Sequence, residues 1–262
     1  MKFKNTLFSF FAMILAVLLA INAACINNSS ISWYCTRNKD HRQPIFAAEL
    51  LFVEKYNGYY IDKKHGDGDD EKVVYLTFDA GYENGNVEKI LDVMREENVK
   101  GAFFILGNLI TKNTELVRRM AEEGHTVCNH TNRHKDMTKV GSPDEFKAEL
   151  DALESLYREH IGLEMSKYYR PPEGKFSETT MKYASDLGYK TIFWSFAYAD
   201  WDNSAQPSAA AAKKKIMDNM HNGAVILLHP TSATNAAILG DIIRELKGAG
   251  YKFGTLDELT AE

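Results

Sequence analysis

From residue 72 onward, apolar and polar positions alternate between two spacings, one suited to strands and one to helices. Val73–Phe78 is a short β-rich run, and Ile90, Leu91 and Met94 give 87–97 a helical period. The same reading predicts strands at 101–106, 126–130, 168–170, 191–196, 224–228 and 251–255. Helices fall between them, at 114–123, from Ser142-Pro-Asp to about His160, and at 177–187, 208–220 and 235–246. Upstream, 47–55 has the length of a short helix, and His65-Gly-Asp-Gly-Asp-Asp reads as a solvated linker. A calcium loop there lacks the Glu at the twelfth position.

About seven strand–helix alternations imply a parallel α/β architecture, either an open doubly wound sheet or a closed barrel. Asp79, His130, Arg170, Asp200 and His229 each lie at or just after the C-terminal end of a different strand. In a barrel those ends converge on one face, whereas an open sheet gathers fewer of them at its switch point. The expectation is a barrel.

The N-terminus follows another pattern. Lys2 and Lys4 precede an apolar run from Leu7 to Ile21 broken only by Ser9, with Ala23 and Ala24 after it. That is the form of a secretory signal or an uncleaved anchor over 1–26, placing the working part outside the cytoplasmic membrane. Residues 27–70 then lead into a fold occupying 71–262. With 45% hydrophobic and 26% charged residues, the 262-residue chain can bury a core. Thirty-six acidic against 31 basic side chains remove the electrostatic drive for nucleic-acid binding. Cys25, Cys35 and Cys128 are too few and too scattered for a disulfide framework and have no assigned role.

His130 and His134 are four residues apart; if the segment turns helically, both imidazoles share a face and can bind one divalent cation. Alone, the pair is equally a pair of surface histidines, and Asp136 is either an assisting ligand or a surface carboxylate. Asp79 ends Thr-Phe-Asp-Ala-Gly-Tyr, where a carboxylate suits a general base or merely caps a turn. His229, at the mouth of an apolar strand, is a proton carrier or a satisfied core histidine. Arg170 before two prolines can anchor a carboxylate, and Asp200-Trp201 sets an acid beside an aromatic face suited to sugar stacking or to a capped core. No Gly-x-Ser-x-Gly elbow, P-loop or dinucleotide fingerprint is present.

In order, these pieces resemble the polysaccharide deacetylase family (NodB-homology domain, carbohydrate esterase family 4). Thr77-Phe-Asp-Ala-Gly81 is similar to its first motif and His130-Thr-Asn-Arg-His134 to its His-[Ser/Thr]-x-x-His motif. Arg170-Pro-Pro-Glu-Gly174 is similar to the third, with Glu173 where an aromatic is usual. Ala199-Asp-Trp201 and Leu227-Leu-His229 resemble the fourth and fifth. One position departs: the family's second Asp, a third metal ligand, is Ala80. With Gly-Tyr-Glu-Asn-Gly at 81–85 and Glu54-Lys-Tyr-Asn-Gly-Tyr-Tyr60, this resembles the muramic δ-lactam branch of spore formers.

The resemblance implies an irregular (β/α)7–8 barrel that removes the N-acetyl group from N-acetylmuramic acid in spore-cortex peptidoglycan. It implies a divalent cation, with Zn2+ the first candidate, on His130 and His134, and Asp79 as base on the attacking water, oriented by Arg170. It also implies His229, oriented by Asp200, as acid toward the departing amine. A backbone N–H near Tyr82 would face the oxyanion, and Leu227 and Trp201 would line a pocket for the acetyl methyl. The implied partners are a peptidoglycan strand and an upstream muramoyl-alanine amidase, with the enzyme a monomer. The sequence leaves open deacetylation of N-acetylglucosamine and a non-catalytic glycan-binding module. A glycosidase using Asp79 and Asp200 would leave the histidine pair without a task.

Overall fold

The computed structural model describes residues 28–38 and 40–261; the expected signal or anchor and Cys25 lie outside them. Among the described residues no helix is long and apolar enough to cross a membrane. In chain order the strands are β1 (Ile31–Ser32), β2 (Gly58–Tyr59), β3 (Lys72–Ala80), β4 (Ala102–Ile105), β5 (Thr126–Asn129), β6 (Tyr168–Tyr169), β7 (Lys175–Phe176), β8 (Lys190–Ile192), β9 (Ala224–Leu228) and β10 (Tyr251–Phe253). The helices are α1 (Val87–Glu96), α2 (Gly107–Lys112), α3 (Thr114–Glu122), α4 (Pro143–Ile161), α5 (Glu178–Asp186), α6 (Ala209–Asp218), α7 (Ala233–Gly248) and α8 (Leu256–Thr260), with a 3-10 helix at Ala48–Tyr56. The short helix α2 and the terminal α8 carry no apolar period long enough to be read in the sequence.

The main sheet runs β10-β3-β4-β5-β6-β8-β2, and β9 also pairs with β3. Every named-strand pairing in it is parallel. Just past β8, Phe196 forms a parallel bridge to Ile226 in β9. Ser195 N–H donates to the Val225 carbonyl at 3.0 Å and Leu227 N–H to that of Phe196 at 2.9 Å. That bridge closes the curled sheet into an irregular α/β barrel, as the strand-end argument expected.

The pleat sorts β3 into two faces. Val74, Leu76, Phe78 and Ala80 join the apolar layer under α1, α2 and α7. Val73 and Tyr75 face the barrel interior, where Ala102, Phe104, Ile192 and Val225 meet Leu256 and Leu259 of α8. Further along the same face come Thr77 and Asp79, so the interior is apolar at the strand starts and polar at their ends. Helix starts are capped as the sequence implies: Ser142 Oγ accepts from Glu145 N–H at 3.1 Å, and Ser177 forms a capping box with Thr180.

Residues 28–38 and 40–61 are woven into this barrel. β1 pairs antiparallel with β7, and β2 extends the sheet beside β8. Trp33 packs against Phe46, Tyr60, Phe176 and Phe193, stacked on the last with centroids 4.4 Å apart. Its Nε1–H donates to the Trp194 carbonyl at 2.8 Å. Trp33→Ala removes both the aromatic filling and that bond. Unfolding in urea should therefore shift by about 3–5 kcal/mol; a shift within about 1 kcal/mol would mean the segment is not part of the cooperative unit.

Candidate active site

The strand ends open into a cleft of about 920 Å³ lined by Asp79, His130, His134, Glu173, Trp201 and His229, among others. Behind its lining stands Arg170, immediately after β6 and without solvent exposure. Nη1 donates to Asp79 Oδ1 at 2.8 Å, Nη2 to Thr77 Oγ1 at 2.9 Å and to the Phe193 carbonyl at 3.2 Å, and Nε to the Ile192 carbonyl at 2.9 Å. The guanidinium lies 4.1 Å from the centroid of the Phe104 ring. Without solvent exposure and with four of its five N–H donors on protein acceptors, Arg170 meets the cleft through Asp79. This differs from the expectation that it orients water directly.

Burial alone would raise the Asp79 carboxyl. Arg170, with His130 and His229, instead holds it below the usual carboxylate range. Asp79 is therefore an anion at neutral pH. Its Oδ2 stands 3.6 Å from His130 Nε2.

The segment from 130 to 134 is a loop, not the helical turn on which the spacing argument rested. Thr131 and His134 both adopt left-handed backbone, with φ of 71° and 56°. That conformation is uncommon for a β-branched residue, and tertiary contacts hold it. Thr131 N–H donates to Asn129 Oδ1 at 2.9 Å, Arg133 N–H to Glu149 Oε1 at 2.8 Å and His134 N–H to Thr131 Oγ1 at 2.9 Å. Gly107 N–H donates to the Asn132 carbonyl at 3.1 Å, and a Cβ on Gly107 would meet Asn132 Oδ1 at 2.0 Å. The loop nonetheless brings the imidazoles together, with ring centroids 5.1 Å apart.

His130 is buried and its Nδ1–H donates to the Arg170 carbonyl at 2.8 Å, leaving Nε2 as a lone pair toward Asp79 and the cleft. Burial, opposed by Asp79 and reinforced by His134, pushes it down to about 4. A neutral imidazole whose far nitrogen is fixed by a carbonyl is the form that ligates divalent metals. The donors thus fit a cation held by two imidazoles. Among the described residues no group of three or more His, Cys, Asp or Glu stands in ligating geometry. Asp136 is engaged elsewhere, accepting from Thr138 N–H at 3.1 Å and Thr138 Oγ1 at 2.6 Å. Ala80 is fully buried in the core layer, while its neighbours Asp79 and Gly81 line the cleft.

Across the cleft His229 follows β9. Its Nδ1–H donates to Asp200 Oδ1 at 2.7 Å and its backbone N–H to Asp200 Oδ2 at 2.8 Å. Burial lowers the imidazole, but the hydrogen bond and charge of Asp200, with Asp79 adding, carry it above its ordinary value. Asn235 on α7 completes the fixture, Nδ2 donating to Asp200 Oδ2 at 2.6 Å and to the His229 carbonyl at 3.1 Å. Leu227 is nearly buried in the cleft wall, beside Trp194. Trp201 is 63% exposed and Tyr82 45%, so Trp201 offers a ring face at the rim more than a wall of a closed methyl pocket. Asn203 Nδ2 donates to Tyr82 Oη at 2.7 Å, joining the two rim loops.

Thr77 and Asn235 are the supporting residues that the motif reading missed. Thr77 was quoted only as the start of a motif, although its inward register on β3, two residues before Asp79, marked it. Asn235 is one turn past the Ser232 cap, which accepts its N–H at 3.0 Å. Cys35 and Cys128 take no part: burial pushes their thiols up to about 11 and about 12.

Comparison with known proteins accords with this geometry. The polysaccharide deacetylase family profile matches residues 66–192. The peptidoglycan-N-acetylmuramic acid deacetylase PdaA of Bacillus subtilis is 38% identical over 251 residues, spanning 94% of this chain and 93% of that one. A peptidoglycan-N-acetylglucosamine deacetylase of Bacillus cereus is 34% identical over 71% of this chain and 67% of its own. The solved structure of B. subtilis PdaA, a family 4 carbohydrate esterase, superposes with a TM-score of 0.84 at 37% identity, covering 89% of this chain and 98% of that one. The chain belongs to the polysaccharide deacetylase family, hydrolases acting on amide bonds.

Proposed function

We propose that this enzyme removes the N-acetyl group from N-acetylmuramic acid in peptidoglycan outside the cytoplasmic membrane. The free amine it leaves beside the lactyl group leads to muramic δ-lactam in spore cortex. One observation carries the chemistry: a carboxylate held low by a cation, Asp79, and a histidine raised by a carboxylate, His229, face one cleft. Each is fixed by a buried partner, Arg170 and Asp200. The full-length similarity to the B. subtilis enzyme supports the muramic substrate. The B. cereus relative keeps N-acetylglucosamine as the second reading.

Asp79 takes the proton of the attacking water, and Arg170 keeps it ionised and aimed. His229 gives its proton to the nitrogen as the amide breaks, while Asp200 and Asn235 hold its ring. The backbone N–H at Tyr82 faces the developing oxyanion. Leu227 and Trp194 receive the acetyl methyl, and Trp201 stacks on a sugar face. His130 through Nε2, together with His134, would hold a divalent cation, Zn2+ being suited to imidazole donors, which when bound supplies Lewis acidity to the acetyl oxygen and the water.

Mass analysis of stem-free peptidoglycan fragments incubated with the enzyme should show acetyl loss from muramic acid; loss confined to glucosamine selects the second reading. Asp79→Asn should abolish acetate release. It should also destabilise the fold by roughly 3 kcal/mol, because the buried Arg170 loses its counter-charge; retained turnover removes Asp79 from the base role.

In Asp200→Asn the histidine loses what raises it, so the alkaline limb of the pH–rate profile should move to lower pH. The sign follows from the raised value. The charged pair is complete below the ordinary imidazole pKa and fades as pH climbs through the raised one. An unmoved limb would assign that limb to another group. His134→Ala should lower metal content per chain after dialysis against Zn2+; unchanged content places the metal elsewhere.

A further inference from the structure

Muramic acid differs from glucosamine by a lactyl ether, which ends in a carboxylate once the stem peptide is gone. A site that prefers stem-free muramic acid needs a cation for that group. The residues lining the cleft include no lysine or arginine, and Arg170 lies behind them, without solvent exposure and with four of its five N–H donors on protein acceptors. The wall does hold Glu173, at the position where the resemblance expects an aromatic.

Glu173 is placed there by its neighbours. It has left-handed backbone, φ 57° and ψ 12°, between Pro172 and Gly174. Gly174 is also left-handed and lies so close to Trp194 that a Cβ would approach Cη2 to 2.6 Å. The Glu173 carboxylate receives Lys175 Nζ at 2.5 Å. Lys175 is fixed in turn at the backbone, where β7 pairs with β1 through Ser32. Lys175, outside the lining itself, therefore brings its ammonium to a residue of the cleft wall. Both side chains are partly exposed, so the pair is weakly held and can change partners.

We propose that the Glu173–Lys175 pair is the specificity-determining element for the lactyl group. Lys175 exchanges its Glu173 partner for the lactyl carboxylate, and Glu173 competes with that carboxylate for the same ammonium. This rests on the peptidoglycan deacetylase reading.

The test measures kcat/KM for acetate release from a stem-free muramoyl glycan and from an N-acetylglucosamine oligomer, and compares their ratio. That ratio is insensitive to the fraction of folded enzyme. Lys175→Met should lower the muramoyl-to-glucosamine ratio about threefold or more, Lys175→Arg should restore it, and Glu173→Gln should raise it. Added salt should shrink these differences, since the pair is exposed. A ratio unmoved by both Lys175→Met and Glu173→Gln overturns the proposal and leaves the deacetylase reading standing. A wild-type enzyme that deacetylates neither substrate overturns both.

Discussion

Arg170 carries a permanent charge at a position with no access to solvent, and a buried cation is tolerated only when its donors and its charge are both answered. The answers come from three other strands. The carbonyls of Ile192 and Phe193 at and after β8, Thr77 and Asp79 of β3, and Phe104 of β4 surround a guanidinium placed by β6. Thr77 Oγ1 in turn donates to the Ile226 carbonyl of β9 at 2.7 Å, so the network reaches the strand that closes the barrel. The Arg170 carbonyl also fixes the tautomer of His130. One side chain thus couples closure of the sheet, the charge of the proposed base and the orientation of the His130 imidazole.

The two proton-handling groups are displaced from their ordinary ranges in opposite directions, for matching reasons. Each would be neutralised by burial alone. Asp79 is held below the carboxylate range because a buried cation touches it, and His229 is raised above the imidazole range because a buried carboxylate does. The proposed base and acid are thus both moved toward their working states around neutral pH. Two isolated buried groups of the same kinds would exist there as a carboxylic acid and a neutral imidazole, with the proton on the wrong one of them.

Local chemistry was legible where it depends on period or on strand ends. The alternation of strands and helices, the barrel, and the gathering of Asp79, His130, Arg170, Asp200 and His229 follow from residues read a few at a time. What was not legible depends on long-range contact. The approach of His130 to His134 comes from a loop whose left-handed Thr131 is held by Asn129, not from a helical turn. The described residues before 62 attach through scattered aromatics, Trp33 on Phe176 and Phe193 and Phe52 on Phe176, and not through a periodic face. Arg170 read as an anchor for a carboxylate, and Asp79 is that carboxylate, but nothing local marks an arginine that will be buried.

The pleat of β3 gives the Ala80 departure a structural meaning. With Phe78 and Ala80 on the core face, and Asp79 and Gly81 on the cleft, an acid at position 80 would enter a fully buried site. It would need a cation of its own there. Alanine removes that demand and fills the strand end with a methyl group beneath α1 and α2. The remaining charges already cancel in pairs, Arg170 against Asp79 and His229 against Asp200, with His130 neutral. A divalent ion on the two imidazoles would therefore add positive charge to a locally neutral site instead of completing an anionic one. That argues for looser binding, and for an electrophile undiluted by a third anionic ligand.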